Sequence, residues 1–539
     1  MNNDLKADLL KKGYLPENMP PSFISDAICG FFDTKAYRTF LSSSATPVRP
    51  AVYNASKRGM TRRTFSVVHP VSGYDLAEFA ATRWGQIEAF FGGIKNSLSA
   101  PRHSPDGDRA LEISPHSELE AVRLSKLSQY RFIAKTDISR FYHSIYTHSI
   151  PWAYHGKALS KDDRNPRSNK VFFNRLDYIV RCGQDGQTVG IPVGPDASRI
   201  IAETVSTAID LEFFKRCDVE DCDILRHVDD VWIGANSHAD AERALWRYRE
   251  AIREYELDIN ENKTKIYAED FRFSDGWPTD VAAQLEFAID SPVKRIAERL
   301  RTAFEYAFSF TTSGGDDGVL KYAIRYLDQS DLRWGQWETF EPFLKRSAVH
   351  FGHTIDYVVR VLVWKNLTSG AVDNAAWSII FRTILDRQGR LGNDSEVCWA
   401  IYGCMRFAIK IDIEIAKNIV WNCGAMSIVA LLNCVELDLV DADIFDEALE
   451  VLAGESLCGP YWPVLLEWIS RGWPGKSKIA IDHDVIKEMG NQNVTLFDSG
   501  RLPKVFQDVD ESNFSDISEA IEKRVSIYDD EDAEPESPF

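Results

Sequence analysis

The 539-residue sequence contains no Cys-x-x-Cys pair, although it has nine cysteines. Cys217 and Cys222 are near neighbours, yet neither has partners at zinc-finger spacing. That argues against a structural zinc site or a disulfide framework and for free thiols in a reducing cytosol. An apolar N-terminal run is also missing. Met1 to Lys12 is polar and charged, unlike a signal peptide, so a cytoplasmic protein is expected. The most apolar window, Ile419 to Leu437, is interrupted by Asn422, Asn433 and Glu436. It reads as buried helix rather than a bilayer span, and no membrane partner is expected. Walker and dinucleotide fingerprints are absent, as is any strict repeat period.

What the chain does have is enough apolar matter, 44% overall and 12% aromatic, for sizeable cores in two or three domains. Its net charge of −19 speaks against a nucleic-acid partner until the distribution is considered. Residues 1–300 carry 40 basic against 42 acidic side chains, and the remainder 22 against 39. Within 51–200 the balance is 21 to 14, a net of +7. Phosphate binding depends on the local field, so the basic band keeps that class open.

One stretch organises the rest: Leu225-Arg226-His227-Val228-Asp229-Asp230-Val231-Trp232-Ile233. Two adjacent carboxylates lie between β-favouring runs, which predicts strand, tight turn, strand. By itself an Asp-Asp pair is most simply a solvated turn. Mutual repulsion nevertheless makes such a pair a natural place for a hard divalent cation, which prefers oxygen ligands. Elsewhere, Phe132 to Ala134 forms a strand core with Asp137 just past it, where a carboxylate is well placed for chemistry or for capping the next helix. Gly190-Ile191-Pro192-Val193-Gly194-Pro195 precedes an amphipathic helix and permits close approach of backbone. Lys263 lies in a turn before a strand. Lys57, Arg58, Arg62 and Arg63 flank a hairpin-like tip and suit phosphate oxygens, although a solvated basic turn reads equally well. Residues 13–23, with three prolines in six residues, predict an extended segment pinned by Tyr14 and Phe23.

From about residue 290 long helical periods take over: Val293–Phe308, Asp356–Leu367, Trp377–Leu385, Glu396–Ile409, Ile415–Leu437 and Ile444–Leu452. They predict a stacked helical array. The tail from Tyr528 is acidic, and its composition is that of a disordered segment.

Taken in order, these pieces resemble a reverse transcriptase over about residues 45–285. Asp137-Ile138-Ser139-Arg140-Phe141-Tyr142 resembles the first palm motif, and Gly190 to Pro195 the second. His227-Val228-Asp229-Asp230 resembles the aromatic-x-Asp-Asp motif, with His227 where Tyr is usual. Asn262-Lys263-Thr264 resembles the lysine motif that follows. A narrower resemblance, to the bacterial abortive-infection (Abi) polymerases of the defence-associated group, rests on three features. They are Gly13-Tyr14-Leu15-Pro16…Pro20-Pro21-Ser22-Phe23, the Arg62-Arg63…His69-Pro70 strand, and the helical C-terminal half.

The implied fold is α+β: a right-hand polymerase palm and fingers followed by an all-α, helical-repeat-like domain. The implied layout is an N-terminal extended segment (1–44), fingers and palm (45–285), a HEAT-like helical domain (286–515) and a disordered acidic tail (516–539). The implied chemistry is two-metal polymerisation of dNTPs. Asp137 and Asp229 bridge two Mg2+ ions, which Mn2+ can replace; Asp230 assists one, and the Ile138 carbonyl completes the other. Tyr142 lies under the nucleotide sugar and disfavours a 2′-hydroxyl. Lys57, Arg58, Arg62 and Arg63 hold the triphosphate, with Arg62 and Arg63 left as a unit because strand neighbours face opposite ways. Gly190, Pro192 and Gly194 floor the nucleotide pocket, and Lys263 protonates departing pyrophosphate. Members of the narrower group resist phage; some make untemplated DNA from a protein side chain and assemble as homo-oligomers. Two alternatives stay open: an RNA-templated enzyme using a dedicated non-coding RNA, as retrons do, and a catalytically inert scaffold.

Overall fold

The computed structural model describes residues 2–34, 47–56, 61–219, 222–273, 277–312, 318–330 and 335–503. Lys57, Arg58 and the tail 516–539 lie outside the described residues. Two hairpin-like pairs come first: β1 (Ala51–Ser56) with β2 (Arg62–Val67), and the short β3 (Arg102–His103) with β4 (Leu111–Glu112). The central sheet contains β5 (Phe132–Asp137), β6 (Asp223–His227), β7 (Asp230–Ala235) and β8 (Lys265–Tyr267). Its order is β6-β7-β5-β8, antiparallel throughout.

Period-two alternation divides this sheet into two faces. On one, Ile133, Leu225 and Trp232 pack with Leu119 and Leu127 of the helix His116–Leu127 in a small separate cluster. On the other, Ala134, Ile224, Val231 and Ile233 join the main core. The helix His238–Arg253 lies against β5 and β7 there, and the helix Asp196–Arg216 packs on it. Both faces are covered, so these strands read as nearly continuous apolar runs.

The C-terminal half is a helical array in which each helix packs on the next but one, and some also on the next, from Ile355–Ser369 to Trp462–Arg471. The helix expected over Ile415–Leu437 is two helices, Ile413–Asn422 and Ala425–Asn433. The break has a contact reason. A Cβ at Gly424 would sit 2.8 Å from the Val52 carbonyl oxygen, and the Gly424 N–H donates to Asp394 at 2.7 Å. The N-terminal segment also departs from expectation. Helices Asn3–Lys11 and Asp26–Thr34 flank the proline-rich stretch, which alone stays non-helical. Within that stretch the Tyr14 hydroxyl donates to the Val68 carbonyl, and Phe23 packs edge-on against Phe497 at 5.1 Å. Among the described residues no helix is long and apolar enough to cross a membrane.

Candidate active site

The centre forms where β5 and β7 end. Asp137 is the last residue of β5 and pairs directly with Asp230, the first of β7. Directly opposed residues share a face, with Cα atoms roughly 4.5–5.5 Å apart. Val228 and Asp229 make the two-residue tip between β6 and β7, since His227 pairs with Asp230. The first tip residue needs a positive φ, a place usually filled by glycine. Val228 takes it, at φ 56°. A β-branched residue in that region is a steric outlier, costing on the order of 1–3 kcal/mol.

The three acids lie within electrostatic reach of one another. Burial, then the neighbouring charges of Asp230 and Asp137, push the Asp229 carboxyl up to about 6. The Asp137 side chain is nearly buried: Oδ2 pairs with the Lys263 ammonium, while Oδ1 has no hydrogen-bond partner. Lys263 is held above its ordinary value chiefly by that hydrogen bond. It comes from a single 3-10 turn, Glu261–Lys263, just before β8. Backbone bonds lock the pieces in register. The Ile138 N–H donates to the Asp229 carbonyl at 3.1 Å, the Asn260 N–H to the Asp137 carbonyl at 2.8 Å, and the Ser139 N–H to the Asp258 carbonyl at 2.9 Å.

Among the described residues no three His, Cys, Asp or Glu side chains already form a metal-holding group. The donor set still fits a hard divalent cation. It offers an orphaned, buried carboxylate oxygen and two further acids whose repulsion a cation removes. Lys263 supplies a counter-charge to Asp137.

The remaining expected site residues divide into those drawn toward the acids and those drawn elsewhere. Tyr142, partly buried, has its hydroxyl pushed up to about 12 by burial and lies within electrostatic reach of Arg199 and Asp229. Its carbonyl accepts the Ile191 N–H at 2.8 Å, so the Gly-Pro loop is stitched to the turn that carries it. Gly190 has φ 88°, and the space a Cβ would need lies 3.2 Å from the His143 carbonyl oxygen. Pro192 is buried. Gly194, at φ 125°, abuts Pro16, so its close approach serves the N-terminal segment. Arg62 and Arg63 part company as strand neighbours must. Arg62 forms a two-pronged ion pair with Glu396, at 2.9 and 2.7 Å, in the helix Asp394–Phe407. Arg63 is exposed and near enough to His143 to lower its pKa, together with burial, the larger cause, and Arg140. His227 is buried, with Nε2 3.4 Å from the Ser114 carbonyl oxygen.

Residues 94–279 match the family model described as reverse transcriptase (RNA-dependent DNA polymerase). This segment is a reverse transcriptase domain. Solved structures that resemble the chain include telomerase from Candida albicans in complex with a TWJ fragment of telomeric RNA. That match has 11% identity and a TM-score of 0.29, covering 66% of each chain, so this chain spans just under two thirds of that telomerase. Apo telomerase from Candida tropicalis matches at 12% identity and a TM-score of 0.30, covering 80% of this chain and 70% of that one. No curated protein matches. The matched residues of the reverse transcriptase domain include Asp137, the Gly-Pro loop, the Asp229–Asp230 tip and Lys263.

Sequence reasoning missed two sets of residues around this domain. One is Glu396 and Asp394 from the helical half, which hold β1 and β2 (Asp394 Oδ2 accepts from Asn54 Nδ2 at 2.7 Å). No local pattern could have announced them. The other is a buried charge cluster around Arg226. Its signal was available, since an arginine inside an otherwise apolar strand demands a partner.

Proposed function

We propose that the chain is a DNA polymerase of antiphage defence that joins dNTPs by metal-assisted phosphoryl transfer, with a protein side chain as primer and no obligatory template. The observation that carries the polymerase part is the direct cross-strand pairing of Asp137 with Asp230, with Asp229 at the tip between β6 and β7. The defence role, the priming mode and a homo-oligomeric state rest on the family resemblance of the N-terminal and helical segments.

In this reading Asp137, Asp229 and Asp230 hold the divalent cations, Mg2+ or Mn2+, with the Ile138 carbonyl as a further donor. Bound there, such ions neutralise charge on the triphosphate and acidify the attacking hydroxyl. The protein's share is positioning. Tyr142 lies beside the sugar and leaves little room for a 2′-hydroxyl. Arg63, free of the Glu396 contact that engages Arg62, faces the triphosphate, with Lys57 and Arg58 further candidates. Gly190 and Pro192 supply a backbone floor. Lys263, which pairs with Asp137, would be released if a cation took that carboxylate, and its ammonium would then serve as the proton donor to departing pyrophosphate.

Incubation of the purified chain with Mg2+ and each labelled dNTP tests this. Label covalently attached to protein without added nucleic acid is the expected result. Incorporation only with a co-purified RNA instead identifies an RNA-templated enzyme. No incorporation in either condition, with partner binding retained in Asp229→Asn, identifies a scaffold.

A further inference from the structure

Arg226 precedes the acidic tip by two residues, yet its side chain goes to the other face of the sheet. Alternation along β6 and β7 sets Asp137, Asp230 and His227 on one side, and Arg226, opposite Val231, on the other. There it is fully buried and makes five hydrogen bonds. Nε donates to Asp210 Oδ2 at 2.8 Å, and Nη2 to Glu203 Oε1 at 2.8 Å. Nη1 donates to Glu203 Oε2 at 3.0 Å, to Ser99 Oγ at 3.2 Å and to the Val228 carbonyl at 3.3 Å. Ser99 completes the grip, because its Oγ accepts the Val228 N–H at 2.8 Å and donates to Glu203 at 3.1 Å. The segment bearing Ser99 is itself laced to β6: Leu98 N–H donates to the Arg226 carbonyl, and Arg226 N–H to the Asn96 carbonyl, both at 2.9 Å.

Both backbone polar groups of Val228 are thus held from the side away from the acids, and Val228 is the tip residue with the forbidden φ. Without such a clamp a valine relaxes toward negative φ, and the peptide plane that aims Asp229 turns with it. We infer that Ser99 and Arg226 are positioning residues that hold the Val228 peptide in its left-handed conformation and so aim the Asp229 carboxylate at the site shared with Asp137 and Asp230. Neither touches the reacting groups. The consequence for nucleotide transfer rests on the polymerase reading; the consequence for tip geometry and cation binding does not.

Three proteins test this: wild type, Ser99→Ala, and Ser99→Ala combined with Val228→Gly. Glycine adopts the positive φ without help, so it substitutes for the clamp. For each, Mn2+ affinity is measured by electron paramagnetic resonance, amide exchange at 226–231 by mass spectrometry, and kcat and KM for dNTP incorporation by steady-state assay. Ser99→Ala should speed exchange at the tip, weaken Mn2+ binding about fivefold and lower kcat about tenfold, with KM changed by less than about twofold, the pattern of a misaimed group. The double variant should recover Mn2+ affinity and kcat to within about threefold of wild type while its melting temperature stays at that of Ser99→Ala. A fall in Ser99→Ala that glycine does not reverse means general destabilisation and overturns the inference. So does unchanged Mn2+ affinity in Ser99→Ala. If wild type transfers no nucleotide, the polymerase reading fails, while the Mn2+ and exchange series still decide whether the Ser99 contact holds the Val228 peptide.

Discussion

Asp229→Asn should make the metal-free protein more stable at neutral pH, although it removes a residue proposed for catalysis. Asp229 titrates near 6 in the folded chain, through burial first and the charges of Asp230 and Asp137 second, against an ordinary value of 3.8. That difference corresponds to about 3 kcal/mol disfavouring the folded, charged form once the group is ionised in both states. The sign follows from proton counting. Between pH 4 and 6 the folded state keeps a proton that the unfolded state has lost, so this group makes stability fall as pH rises through that window. Below about pH 4 it is protonated in both states and contributes no difference. Asparagine has nearly the same shape and no charge. Some of the 3 kcal/mol is lost to relaxation and water entry, so a gain of about 1–3 kcal/mol is expected above pH 6.5, shrinking toward zero near pH 4. Denaturant unfolding of both proteins in EDTA, at half-unit intervals from pH 4 to 8, measures it. Saturating Mn2+ should reverse the order, because a cation that binds only the folded wild type stabilises only that protein. An Asp229→Asn variant that is less stable than wild type at pH 7.5 in EDTA, or a gain that does not vary with pH, would refute crowding of the three acids.

Other consequences are more direct. Asp137→Asn and Asp230→Asn should each lower nucleotide incorporation by at least about a hundredfold, and chelation of divalent cations should abolish it, as read by label transfer. Arg62→Ala leaves Glu396, only 3% exposed, without its partner and should cost about 2–3 kcal/mol, discounted because Arg62 is 25% exposed. Arg62→Ala with Glu396→Gln should cost less than the separate changes combined, and calorimetry of the four proteins tests that coupling. Arg63→Ala should leave stability within about 0.5 kcal/mol but raise the KM for dNTP, separating the two neighbours by assay. Tyr142→Ala should narrow the preference for dNTP over NTP by on the order of tenfold or more, measured as the ratio of kcat/KM values.

Much of the fold was legible because its signals are local. Apolar β-branched runs around Asp229-Asp230 announced strands, a proline cluster forbade helix over the stretch after Gly13, and 3.6-residue periods announced the helical half. What went unseen was long-range. The single helix expected over Ile415–Leu437 breaks at Gly424, whose N–H is taken by Asp394 and whose lack of a Cβ lets it sit against the carbonyl of Val52, far earlier in the chain. The helices at Asn3–Lys11 and Asp26–Thr34 were subsumed under a neighbouring proline signal.

The same division runs through the site. Sequence alone determined which acids, which loop and which lysine are present and in what order, because motif chemistry is written in contiguous residues. Sequence could also state that Arg62 and Arg63 must face opposite ways, since strand alternation is a property of the backbone. Only the tertiary structure decided which of them turns to Glu396, that Lys263 closes on Asp137, and that Arg226 meets Ser99 and Glu203 on the face of the sheet away from the acids. Those outcomes depend on partners 20 to more than 300 residues away, and a buried charge takes its role from whatever partner the fold brings to it.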